Sequence, residues 1–238
     1  MLALGIDTAT RLGSLALARD GAVLGVETIV EDAARGSAEH SAELGPALDR
    51  LLERCGARLD EVGGLGVGLG PGSYTGLRVG VAFAKGLEFG LRIPLVGVPS
   101  FEAMVYVCGR FEGAICTLVD ARMGAIYAGL YRATTDAVQV VREPWVSKEG
   151  EFVLDVEGPL LFAGPDEAVM AKLGARFDKA PFRQAYPDAR YTALRAAQLL
   201  TSAQPRERFA NIEPYYLRPS FAELSAQQAA QQAAQKKK

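Results

Sequence analysis

GPGSYTGLRVGVAFAKG, residues 70–86, decides how this chain is read. It opens like a phosphate-binding loop running into a helix. A Walker loop needs Gly, four residues, Gly, then Lys and Ser or Thr, because the lysine neutralises phosphate and the hydroxyl holds magnesium. Here Gly70 and Gly76 are separated by five residues, and Leu77 follows. The dinucleotide fingerprint fails as well, since Thr75 stands where its last glycine belongs. Two readings stay open. The amides of Ser73 to Gly76 sit at a helix N-terminus and attract an anion, or Pro71-Gly72 makes a turn and Ser73 or Thr75 caps the helix.

Within that helix Gly76, Gly80 and Ala84 stand four apart, so they line one nearly bare face. An interior glycine costs roughly 0.5–1 kcal/mol relative to alanine. Close approach by another backbone would offset this. That backbone belongs either to the chain's own sheet or to another subunit. On the second reading Gly80→Arg blocks pairing and leaves the chain folded.

Working outward, LALGID, LGSLALA and AVLGVETIV read as an antiparallel meander, with Asp20-Gly21 as a tight hairpin turn. DAARGSAEH (32–40) reads as a loop. Leu44, Leu48, Leu51 and Cys55 then recur at helical spacing, with Asp49, Arg50, Glu53 and Arg54 opposite and Gly56 as the C-terminal cap. VGGLGVGLG (62–70) reads as a glycine-softened strand and IPLVGVP (93–99) as another. A short helix from Ser100 begins the second half. Strands over AICTLVDA, AIYAGLYRA, VQVVREPWV and PLLFAG follow, then helices from Pro165 to about Gly174 and from about Thr192 to Ala203. The two halves share a plan without a sequence repeat. The expected division is a first lobe at 1–99, a second, reduced lobe at 100–220, and a low-complexity Ala/Gln/Lys tail at 221–238.

The chain has 238 residues, is 49% hydrophobic and carries a net charge of −2, so no strongly basic face is implied. Its three scattered cysteines argue for a reducing compartment and a cytoplasmic location. No membrane span or signal peptide is expected. His40 is the only histidine, which excludes metal sites built on paired histidines.

Asp7, with Thr8 beside it, ends the first strand. It reads either as the holder of a metal–water cluster near nucleotide phosphates or as a turn residue. Asp120-Ala121-Arg122 reads as an acid–base pair or a hairpin salt bridge. Gly164-Pro165-Asp166 has the strand–glycine–helix form of an adenosine turn, but Asp166 and Glu167 occupy the positive helix end and repel phosphate. Glycine turns are present where a nucleotide enzyme has them, without the cations and metal ligands that do its chemistry.

GIDTAT, HSAEL, GVGLGPGSYTGLRVGVAFAKGL, IPLVGVPSFEAM, VDARMGAIYAGLY and PYYLRPS occur in that order. Together they resemble the TsaB (YeaZ) family over residues 2 to about 220. The resemblance implies an α/β, actin-like fold with two lobes, of the sugar kinase and Hsp70 superfamily. It implies a non-catalytic scaffold required for threonylcarbamoyladenosine at tRNA position 37. Such a scaffold pairs with the metal-bearing TsaD paralogue and the TsaE ATPase, forms a homodimer when alone, and meets tRNA only indirectly. It implies no cofactor on the isolated chain, with ATP or ADP entering in the assembled complex. The interface it implies lies on the first-lobe helices: His40, Leu44, Leu48, Leu51, Cys55, Tyr74, Thr75, Gly76, Arg78, Gly80, Phe83 and Ala84. Met123 and Ala125 stand where the family pattern carries a basic residue and an acid. The alternatives are an ATPase or phosphotransferase of the same superfamily and a glycoprotease-like peptidase.

Overall fold

In the computed structural model the described residues are 1–30, 38–134, 137–202 and 212–218, with the side chains of 38–40 also outside the description. Strands β1 (Leu2–Asp7), β2 (Leu12–Arg19) and β3 (Ala22–Val30) form the expected meander. Asp20 and Gly21 take φ of 52° and 83°, the mirror-image turn whose twist suits a hairpin. Strands β4 (Val62–Gly68) and β5 (Leu95–Val98) add in parallel, giving the order β3-β2-β1-β4-β5.

Large and small residues alternate along these strands, and this decides what packs on each face. Leu4, Ile6, Leu15, Leu17, Leu65 and Val67 face helices α1 (Ala38–Cys55) and α2 (Tyr74–Leu91) in the main core. The intervening Gly5, Ala16, Ala18 and Gly66 face α4 (Ala189–Thr201), which brings Ala189, Ala193 and Ala196 down onto them. A Cβ on Gly5 would strike the backbone of Ala189 and Ala193, and one on Gly66 would lie 2.7 Å from Thr192 O. Gly5 of β1 and Gly64 and Gly66 of β4 are a bed for a helix seated unusually close.

The second sheet contains β6 (Ala114–Arg122), β7 (Ala125–Ala133), β8 (Val138–Lys148), β9 (Leu160–Gly164) and β10 (Phe182–Gln184), in the order β10-β9-β6-β7-β8. Counted within its own half, each sheet has the order third, second, first, fourth, fifth. In both, the first three strands are antiparallel and the last two parallel. The helix after each fifth strand crosses to the other half. Helix α3 (Ser100–Cys108) packs Phe101, Met104 and Val105 against Ile115, Tyr131 and Leu161 of the second sheet, while α4 returns to the first. The two crossing helices meet where Tyr191 Oη donates to Glu102 at 2.9 Å.

Four expectations need correction. The second lobe is not spatially continuous over 100–220, because α4 and Ile212 pack on the first. Helix α1 starts at Ala38, inside the stretch read as loop, so Pro46 lies in its interior. The helix expected from Pro165 to Gly174 is a 3₁₀ turn at Glu167–Lys172, and a second such turn follows at Ala175–Phe177. Gly174, at φ 92°, stops the chain before an α-helix gains enough residues to sustain itself. The three-residue β10 was not foreseen; its polar, short sequence carries no strand period. The tail at 221–238 lies outside the described residues.

Candidate functional site

The glycine loop is closed on the chain itself. Ser73 caps α2, its hydroxyl accepting from the Gly76 amide at 3.2 Å, as one of the two readings had it. The Ser73 amide donates to Ala9 O at 2.7 Å, and Thr8 Oγ1 donates to Gly76 O at 2.7 Å. A Cβ on Gly72 would overlap Ala9 O; on Gly76 it would overlap Thr8 O, and on Gly80 the Thr8 hydroxyl. Ala84 is fully buried. The row Gly76–Gly80–Ala84 therefore admits the end of β1. The expectation that a second subunit enters this groove is corrected: the chain's own strand end already fills it.

Asp7 is equally enclosed. Its carboxylate accepts from the Ala9 amide at 2.9 Å and the Ser100 hydroxyl at 2.8 Å, and the same hydroxyl accepts from the Gly70 amide at 3.0 Å. Burial pushes its pKa from the ordinary 3.8 up to about 6, against the lowering effect of those two donors, and Asp188 adds a little to the rise. Asp7 thus ties the β1 end to the start of α3 and to the Gly70 loop. Gly164, the third nucleotide candidate, lies where a Cβ would overlap Leu118 O, and Asp166 caps the following turn through the Ala168 amide at 2.9 Å. None of Asp7, Thr8 and Gly164 lines the cleft between the lobes.

That cleft encloses about 760 Å³. Its cations are largely engaged by the protein. Lys172 Nζ lies 2.8 Å from Asp120, and Arg11 donates to Tyr186 Oη at 2.7 Å. Asp120 also accepts from the Arg122 amide at 2.8 Å, so the acid–base reading of Asp120 and Arg122 is corrected: the side-chain partner of Asp120 is Lys172.

The α1 stripe is also turned inward. Leu44, Leu48 and Leu51 are buried in the first-sheet core, and Cys55 packs toward Gly25 of β3. As partner contacts Leu48, Leu51 and Cys55 are corrected, because the spacing that made them an apolar face is the spacing a helix needs to sit on its own sheet; Leu44, also buried in that core, has one edge on the groove between α1 and α2. His40 falls in the first turn of α1, with its side chain outside the described residues.

What remains outward is the seam between the two helices. Ser41 and Leu44 of α1 and Thr75, Arg78, Val79, Ala82 and Phe83 of α2 line a groove of about 340 Å³. Thr75, Arg78 and Ala82 are exposed, and Phe83 and Val79 are half-buried. Arg78 is held in place: its guanidinium lies 5.0 Å from the Tyr74 ring centre and donates to Tyr74 Oη at 3.0 Å. Farther along, Phe89 is 89% exposed. The seam brings together Leu44, Thr75, Arg78 and Phe83 from the sequence reading, while Tyr74 lines the interlobe cleft and reaches the seam only through Arg78. Ser41, Val79 and Ala82 were missed, since they lie off the apolar stripe of α1 and the small-residue row of α2 that the spacing singled out.

A family model described as TsaD: tRNA N6-adenosine threonylcarbamoyltransferase matches residues 31–231. The tRNA threonylcarbamoyladenosine biosynthesis protein TsaB of Bacillus subtilis (strain 168) is 32% identical over 176 residues, covering 71% of this chain and 73% of that protein. The chain belongs to the TsaB (YeaZ) family. The TsaB protein of Escherichia coli (strain K12) is 35% identical over 159 residues, 66% of this chain and 64% of that protein, so the matched stretch spans just under two-thirds of that relative. Among solved structures, YeaZ from Pseudomonas aeruginosa superposes with a TM-score of 0.76 at 22% identity, covering 91% of this chain and 99% of that one. The TsaB fold here is the actin-like one the sequence led us to expect. No helix among the described residues is long and apolar enough to cross a membrane.

Proposed function

We propose that this TsaB-family chain serves threonylcarbamoyladenosine formation on tRNA as a non-catalytic subunit, and that it docks a TsaD-type paralogue along the α1–α2 seam. The observation that carries this reading is the sealing of the ancestral-looking loop. The groups that would address a phosphate or its metal are engaged within the chain, Thr8 on Gly76 O, Asp7 on the Ala9 amide and the Ser100 hydroxyl, and the α2 start on Ser73, while the adjoining helix faces stay open. The isolated chain binds no nucleotide; ATP or ADP enters with the assembled complex and its TsaE-type ATPase. The chain pairs with itself through the same seam when the paralogue is absent, works in the cytoplasm, and reaches tRNA only through its partner.

A standard interface buries about 800 Å² on each side, an area two helix faces supply. The test is complementation. In cells depleted of the chain, the modified nucleoside is measured in digested tRNA while variants are expressed. Asp7→Asn is expected to restore it, because Asp7 does no chemistry. Ala82→Arg, placed on the open seam, is expected to fail while remaining folded. Loss of modification with Asp7→Asn, at normal protein levels, would return the chain to the enzymes.

A further inference from the structure

The motif PYYLR, residues 214–218, is left unexplained by the seam. The structure assigns it a role: residues 212–218 form a clasp that crosses the interlobe cleft and fixes the two lobes relative to each other.

The first end is anchored on lobe one. Ile212 packs against the core beneath α1 and α2, and the Tyr215 amide donates to Leu69 O at 2.8 Å. The Tyr216 ring lies 5.0 Å from that of Tyr74, at the start of α2. The second end is anchored on lobe two. Arg218 donates from one nitrogen to Arg122 O at 3.1 Å and, more weakly, to Ala121 O at 3.4 Å. These carbonyls belong to the β6–β7 hairpin tip, where Arg122 and Met123 take φ of 63° and 50°. A left-handed tip turns its carbonyls out of the strand ladder and leaves them open to a donor from outside the hairpin. Arg218 supplies a charged one, and the half-buried Tyr127 of β7 stands close enough to feel its charge. Tyr74, Tyr215, Tyr216, Arg122 and Arg218 all line the same cavity. The clasp thus joins two separate motifs, VDARMG and PYYLR, across the cleft.

The alternative is that these contacts are a passive resting place for the chain after α4. Amide hydrogen exchange on the full chain separates the two. In the parent the Tyr215 amide is expected to be protected. Arg218→Ala is expected to speed exchange at Tyr215 and at residues 120–124 by about tenfold or more, while α1, α2 and the central strands keep their protection. It is also expected to enlarge the particle in small-angle scattering. Arg122→Ala keeps the carbonyl that Arg218 uses, so its exchange pattern should match the parent. Unprotected Tyr215 in the parent, or an Arg218→Ala variant with parental exchange at Tyr215 and the hairpin, would overturn the assignment. Should Arg218→Ala fail to fold, Arg218→Lys gives the same readout, since one ammonium lacks the planar fork and holds the tip less well.

Discussion

Thr8 and Gly80 share a space that holds the Thr8 side chain and nothing more. The hydroxyl of Thr8 reaches past Gly80 to donate to Gly76 O at 2.7 Å, and any Cβ on Gly80 would overlap it. Two glycines of the same helix should therefore respond oppositely to alanine. Gly86 has nothing within 4 Å of its would-be Cβ, so Gly86→Ala is expected to stabilise by about 0.5–1 kcal/mol through helix propensity. Gly80→Ala should cost about 1–3 kcal/mol, because Thr8 must swing away and its buried hydroxyl loses its acceptor. Thr8→Ala in the same chain should recover part of that loss, a coupling measured by denaturant titration of the four variants. Gly80→Arg, expected from sequence alone to be folded, should instead not fold.

Asp7 gives the protein a stability trend opposite to that of its surface acids. Its folded pKa is raised to about 6 from 3.8 by burial. A raised carboxyl adds stability below its unfolded pKa, and that contribution fades as pH climbs through the folded value. Between pH 4 and 7 Asp7 should cost the protein on the order of 2–3 kcal/mol. Glu27 and Asp120, whose pKa values are lowered, push the other way, losing stability on acidification. The difference between parent and Asp7→Asn isolates Asp7: the variant should gain relative stability as pH rises from 4 to 7. A difference that stays constant with pH would show that the carboxyl is not buried as described.

The close seat of α4 gives a third expectation. Gly5→Ala pushes a methyl into the backbone of Ala189 and Ala193, which cannot rotate aside. The helix must lift, and the expected loss is about 2–3 kcal/mol or more. Gly45→Ala in α1, with nothing within 4 Å, is the control and should be neutral or mildly stabilising. Equal melting temperatures for the two variants would refute the glycine bed.

Much of this was readable beforehand, and the failures have a common cause. The meander, the Asp20-Gly21 turn and the Ser73 cap follow from local chemistry and were found. The large–small alternation in LALGID, LALA and GGLGVG was visible too, yet it names only a close neighbour and not which one. That neighbour, α4, lies more than a hundred residues away in the chain. The same limit applied to Leu44, Leu48, Leu51 and the Gly76–Gly80–Ala84 row. Spacing shows that a face is buried but cannot tell the chain's own sheet from a foreign helix. The outward seam was legible only by subtraction, as what the inward faces leave.

The seam itself predicts a graded response. Ala82 is exposed between the two helices, so Ala82→Arg should leave melting within about 1 °C of the parent, as surface changes do. Pairing with the TsaD-type paralogue, followed by calorimetry, should weaken at least about a hundredfold, because an unpaired charge would be buried at the centre of the contact. Arg78→Ala should weaken it about tenfold, through loss of a donor already fixed on Tyr74. Tyr74→Phe keeps the ring under the guanidinium and removes only the hydroxyl partner, so its effect should be about threefold or less. Self-association of the lone chain should fall in the same rank order, since both partners are proposed to use one surface. If Ala82→Arg bound the paralogue with parental affinity, the docking face would have to be sought elsewhere, with the exposed Phe89 end of α2 the first place to look.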